Sequence, residues 1–154
     1  GHMPTYTLNF SRGSAMIVAQ YYNFLRLGKA GYENIMTNMM HVSNLVKDGL
    51  LKLGKFELLG TRRMEPVISV ALKEDYGYTV FDISTALRAY GWIVPAYTLP
   101  PNADTIASLR VVVKENMSAT LAHDFLNDMS KVLDSLEGKQ TPASPKRKGK
   151  NITH

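Results

Sequence analysis

The sequence predicts an α+β fold in which a small antiparallel sheet is covered on one face by helices. Three observations predict it. Hydrophobic periodicity gives the element order ααββαββα, with no internal repeat. Residues 106–114 form a β-branched strand whose Ala107, Leu109, Val111 and Val113 make one wholly apolar face that must lie on helices. And 154 residues, 45% of them hydrophobic, suit a single globular domain with a real core.

Taken in order, residues 5–10 read as an extended lead-in. Ser11, Arg12, Gly13 and Ser14 before an apolar run mark a helix start. That helix covers about residues 15–27, with Gly28 as its stop. Met16, Ile17, Tyr21, Phe24 and Leu25 help make it apolar around much of its circumference, the pattern of a helix buried against more than one partner. A small isolated domain would struggle to cover it, which points to further sequence. A second helix runs to about residue 53, where Ile35, Met39, Val42, Val46, Leu50 and Leu53 recur at helical spacing. Met36 and Met40 widen this stripe as core filler, and Gly54 ends it.

Residues 56–59 and 67–73 read as strands across a loop containing Gly60, Arg62, Arg63 and Pro66. In the second, Ile68, Val70 and Leu72 share one face, Ser69 and Ala71 the other. Thr79 caps the next helix, with Asp82 placed three residues on to reach back to it. Val80, Ile83, Leu87 and Tyr90 are expected on its buried side, and Gly91 closes it. Residues 92–97, interrupted by Pro95, make an edge strand or a bulge. Pro100, Pro101 and Asn102 then form a loop before the strand 106–114. Ser118 caps a last helix with Ala122, Leu126, Met129, Leu133 and Leu136 as its stripe and Gly138 as its stop.

The expected organisation is a cloning remnant at residues 1–3, a small domain over residues 4–138 and a flexible basic tail over residues 139–154. Within the domain, a helical lead-in (11–53) precedes an α/β layer (54–138). The abrupt start near Pro4 suggests a piece of a longer chain.

The net charge of +5 resembles a nucleic-acid signal, but its distribution argues otherwise. Lys139, Lys146, Arg147, Lys148 and Lys150 lie where there is no acid at all, and the other 13 cations balance 13 acids. The body is neutral and the basicity belongs to the tail. No apolar run approaches the roughly 20 residues a membrane span needs. Cysteine is absent, which removes disulfides and thiolate metal sites.

Chemistry is sparse. The sequence contains no phosphate loop, dinucleotide glycine fingerprint, zinc-ligand spacing or serine-nucleophile motif. His41 and His123 are expected to be structural or solvent-facing. Arg110 stands in the middle of the strand 106–114, on the face with Ser108, Val112 and Lys114. Its planar fork there could bind a carboxylate or phosphate in a bidentate way, or be a surface arginine on a half-exposed sheet.

Leu8, Asn9, Phe10, Ser11 and Arg12, then the run from Ile17 to Gly28, closely resemble bacterial glutamate decarboxylases of the pyridoxal-phosphate type. So do Gly77 to Asp82, Leu87 and Arg88, the run from Gly91 to Leu99, and Leu109, Arg110 and Val111. Only the C-terminal part of that family is covered. The resemblance implies the small C-terminal domain of a fold-type I enzyme, cytoplasmic and built from dimers, that converts L-glutamate to 4-aminobutyrate and carbon dioxide. It implies pyridoxal phosphate in the full-length enzyme and none on the isolated domain, since the family's cofactor-bearing lysine lies upstream in the large domain. The partners it implies are that large domain and glutamate, with no nucleic acid and no membrane.

By the same resemblance Arg110 holds a substrate carboxylate, the alternative being a structural ion pair. Ser11 aligns where the family reaches a neighbouring subunit's cofactor phosphate; a plain helix cap suits the same hydroxyl. Gly13 stands where the family often has proline. His154 is the candidate for a tail histidine that closes the active-site mouth as pH rises, the alternative being a merely solubilising tail. From another class, the competing reading is a small α+β binding module whose basic tail contacts nucleic acid or acidic surfaces.

Overall fold

A computed structural model gives the architecture and describes residues 13–60 and 65–138. In order the elements are α1 (Ala15–Lys52), β1 (Phe56–Leu58), β2 (Val67–Leu72), α2 (Val80–Leu87), β3 (Ala96–Thr98), β4 (Ala107–Val112) and α3 (Ala119–Gly138). The chain falls into two units, the first ending at Asn38 and the second starting at Met39.

In the first unit the expected stop at Gly28 is a break of one residue. Gly28 takes φ 56° and ψ −171°, a backbone setting open to glycine because it has no Cβ, and helical geometry resumes at once. Phe24 and Tyr32 pack across the break with ring centroids 5.9 Å apart. The apolar residues before it are uncovered: Met16 is 80% exposed and Leu25 67%.

The second unit is built on a four-stranded sheet in the order β1-β2-β4-β3, antiparallel throughout. Alternation along the strands decides what each face does. Phe56, Ile68, Val70, Leu109 and Val111 point to one side and are buried. Val42, Val46 and Leu50 of α1, Val80, Ile83 and Leu87 of α2, and Ala122, Phe125 and Met129 of α3 complete the same core. The sheet therefore has helices on one face, as the sequence predicts. β3 is an edge strand that begins only after Pro95, which fits a residue with no N–H to donate to a ladder.

α2 starts where the capping pattern places it. The Asp82 backbone N–H donates to Thr79 Oγ1 at 3.3 Å, and Asp82 Oδ2 accepts from the Thr79 backbone N–H at 2.8 Å. These contacts from Thr79 hold the Asp82 carboxyl below its usual range, so the cap is intact at neutral pH and weakens as acid protonates Asp82. Thr79→Ala is expected to lower stability by about 1 kcal/mol, read as a fall in the denaturant midpoint. An unchanged midpoint would mean that tertiary packing alone starts the helix.

Two expectations need correction. Tyr90 was expected in the core but is 44% exposed. The helix tightens to a 3-10 turn over Arg88–Tyr90, which rotates successive side chains further than an α-helix does and carries Tyr90 off the buried stripe. Gly91 then ends the turn with φ 83°, as expected of a closing glycine. On α3 Ala122, Met129 and Leu133 are buried as expected, but the rest of the buried face differs. Phe125 and Val132 are fully buried, while Leu126 and Leu136 are half-buried. Trp92 accounts for Phe125: the two rings meet edge-on at 5.2 Å, and Trp92 Nε1 donates to Asp128 Oδ2 at 3.0 Å, drawing that side of α3 inward. Leu126 is instead pressed against α1 at Gly49, where an added Cβ would meet its Cδ2 at 2.7 Å.

A polar clasp joins the end of α3 to the segment after α1. Lys55 Nζ lies 2.7 Å from Glu137 Oε1, and Tyr78 Oη donates to the same oxygen at 3.3 Å. The Lys55 contact holds Glu137 below the usual carboxylate range, so the clasp favours the fold above that range and fades as pH falls through it. Burial, then Glu137, push the Tyr78 phenol up to about 12, keeping it a donor.

Candidate functional site

Arg110 stands on the face of the sheet opposite the helical core. β4 is an inner strand, paired with β2 through Ser69↔Arg110 and with β3 through Tyr97↔Ser108. The Arg110 backbone is further fixed by its N–H, which donates to Pro95 O at 3.0 Å. Because residues opposite one another share a face, Ser69, Tyr97, Ser108 and Arg110 all lie on the side away from the helices. Ser69 and Tyr97 are half-buried, and Arg110 is exposed.

The guanidinium has one neighbour of note. Its Cζ sits over the Tyr97 ring, 5.4 Å from the centroid. Among the described residues no carboxylate pairs with it. In this it differs from Lys29, Lys47, Lys55 and Lys131, each of which lies within 4.0 Å of an acid. Among the described residues, then, the fork lies over an aromatic ring and has no acid partner.

Beside Arg110 is a hollow of about 270 Å³ at the end of the sheet where β3 has not yet begun. Trp92, Ile93, Val94 and Pro95 supply apolar walls, and Lys114 joins Arg110 as a second cation. Lys114 shares the Arg110 face by alternation, but only the structure brings Trp92 and Ile93 alongside it. A larger hollow, about 340 Å³, opens between α1 and the β1–β2 pair. Its cation, Lys47, already pairs with Asp48 at 3.0 Å, so it offers no comparable free charge.

Sequence reasoning passed over Ser108. It is completely buried although it shares the Arg110 face, and its hydroxyl has no hydrogen-bond partner among the described residues. Alternation alone marks it as an open-face residue; its burial depends on the bulk of neighbours across the strands. Of the other candidates, Ser11 and His154 lie outside the described residues, as does the whole tail from residue 139. His41 and His123 are exposed, and no group of acids and histidines among the described residues could hold a metal. Among the described residues no helix is long and apolar enough to cross a membrane.

A covalently attached pyridoxal cofactor needs a lysine amine that is neutral at working pH. Glu137 and Asp128 hold Lys55 and Lys131 above the ordinary lysine range, the wrong direction for a nucleophile. Lys29, Lys52, Lys73 and Lys114 are on the surface, and Lys47 is paired.

No protein-family model matches the chain. It is nevertheless homologous to glutamate decarboxylases. The enzyme of Solanum lycopersicum is 45% identical over 142 residues, which cover 92% of this chain and 28% of the plant protein. That of Aliivibrio fischeri is 39% identical over 132 residues, 84% of this chain and 28% of that protein. The solved structure of a Lactobacillus brevis glutamate decarboxylase matches with a TM-score of 0.81 at 34% identity, over 94% of this chain and 33% of that one. The chain thus spans about 28% of the length of these curated relatives. The plant enzyme is the more similar of the two, so the likeness is not confined to bacterial members.

Proposed function

We propose that this chain is the C-terminal small domain of a pyridoxal-phosphate-dependent, fold-type I glutamate decarboxylase, and that Arg110 holds a carboxylate of L-glutamate. The observation that carries the reading is the Arg110 fork, rigid in its backbone, supported by Tyr97 and without an acid partner among the described residues. A dicarboxylate substrate needs one end fixed while the other reacts, and a guanidinium on a strand does this by bidentate contact. The likeness to glutamate decarboxylases supports L-glutamate as that substrate.

In this reading the cofactor and its lysine belong to a large domain of the same enzyme, with Ser11 at a neighbouring subunit's cofactor phosphate in a cytoplasmic, dimer-based assembly. The bound cofactor would supply the electron sink for decarboxylation; this domain binds and orients. The test is direct. The full-length enzyme supplied with pyridoxal phosphate is expected to release carbon dioxide and 4-aminobutyrate from L-glutamate, and no turnover of glutamate would contradict the assignment.

The tail takes a gating role in the same reading. A histidine is charged in acid and neutral near pH 7, with an ordinary pKa of about 6.5. Neutral, it enters an apolar mouth at far lower desolvation cost than the cation does. The five tail cations also repel a body that grows more positive as its acids protonate. Deleting residues 139–154 from the full enzyme is therefore expected to extend activity toward neutral pH, with His154→Ala giving part of that effect. An unchanged pH–activity profile in both variants would leave the tail a solubilising one.

A further inference from the structure

We propose that Tyr97 is a positioning residue: its ring holds the Arg110 guanidinium in the orientation that receives the substrate carboxylate. The inference rests on the reading of Arg110 given above.

The backbones of both residues are fixed before their side chains are considered. Tyr97 is the middle residue of β3, paired opposite Ser108, with Ala96↔Leu109 and Thr98↔Ala107 on either side. Arg110 follows two residues later on β4, held to Pro95 by its own N–H. The two side chains are thus diagonal neighbours on one face, within reach of an aromatic and a long side chain. What the backbone leaves free is the arginine stem, whose rotatable bonds let an exposed guanidinium sweep a wide arc.

The Tyr97 ring limits that arc, and it does so in a particular way. The guanidinium lies over the Tyr97 ring at 5.4 Å, an attraction between the cation and the negative face of the ring. An acid partner would have restrained the arginine too, but by occupying the N–H groups a substrate carboxylate must take. A ring attracts the cation without bringing a carboxylate acceptor to its N–H groups. Support without competition is what a substrate-binding arginine needs.

Ser108 explains how the ring comes to lie there. Directly opposite residues on antiparallel strands have Cβ atoms about 5 Å apart, so a large residue at 108 would push the ring off β4. Serine is small, and it is fully buried, with its hydroxyl unpaired among the described residues. Its size serves the packing, whereas its hydroxyl finds no use there.

The experiment uses the full-length enzyme and a double-mutant cycle on glutamate kinetics. Tyr97→Phe keeps the ring and is expected to leave KM and kcat within about twofold of the parent. Tyr97→Leu removes the ring but keeps apolar bulk, and is expected to raise KM about 3- to 30-fold. If that variant fails to fold, Tyr97→Ile, which keeps strand preference, takes its place. In an Arg110→Ala background the same change is expected to cost almost nothing, because the group it positions is gone. Equal losses in both backgrounds, or no loss in Tyr97→Leu, would overturn the proposal. If Arg110→Ala is itself impaired while Tyr97→Leu is not, only this inference fails. If Arg110→Ala binds and turns over glutamate normally, the reading of Arg110 fails and this inference goes with it.

Discussion

Arg110→Ala in the full-length enzyme is expected to lower kcat/KM for L-glutamate by about 30- to 5,000-fold. The range corresponds to roughly 2–5 kcal/mol for removing one partner of a charge-assisted pair in a desolvated site. The loss is large because the remaining carboxylate would be left without its fork, not merely with a weaker contact. Arg110→Lys is expected to recover only part, since an ammonium is a point charge and cannot donate two parallel hydrogen bonds from one plane. Neither variant should disturb folding, as the side chain is exposed and makes no ion pair among the described residues. Steady-state kinetics with a matched melting curve checks both points. Catalytic efficiency near that of the parent would remove Arg110 from the site.

A complete loss is expected for the isolated 154-residue chain: no glutamate turnover and no stoichiometric adduct with pyridoxal phosphate at a specific lysine. An attached carbonyl cofactor needs its own activated lysine, and in the proposed reading that lysine belongs to the large domain. Reduction with borohydride followed by peptide mapping would locate any adduct. A single lysine labelled in full, together with carbon dioxide release from glutamate, would overturn the expectation.

How far the sequence could be read depended on what each feature rests upon. The capping pair Thr79 and Asp82 was legible because both partners lie within one turn and need no tertiary contact. So was the strand bearing Arg110, whose alternation separates Leu109 and Val111 from Arg110 and Val112. The same local rule misled at Tyr90, since a change from α to 3-10 geometry does not show in spacing. Phe125 escaped notice for a different reason. Helical periodicity fits several neighbouring stripes on α3, and Trp92, more than 30 residues earlier, selects the one that is buried.

The candidate site divides in the same way. Arg110 was found from its place on a strand together with the family resemblance. Tyr97 falls within that resemblance, but its relation to Arg110 depends on the β3–β4 register. Ser108 carried no signal that alternation could supply. An open-face serine should be solvated, yet Ser108 is completely buried. Gly28 shows the reverse: the sequence marks the break, but that a helix resumes immediately is a matter of backbone geometry.

The most direct test of the carboxylate-holding role is chemical rescue of Arg110→Ala in the full-length enzyme. Guanidinium ion would be added at concentrations well below those that unfold proteins, and kcat/KM for L-glutamate measured at each. If Arg110 supplies a fork to the substrate, activity rises with guanidinium and saturates, while sodium at equal ionic strength gives no such rise. A flat response, in a variant that melts like its parent, would contradict the account.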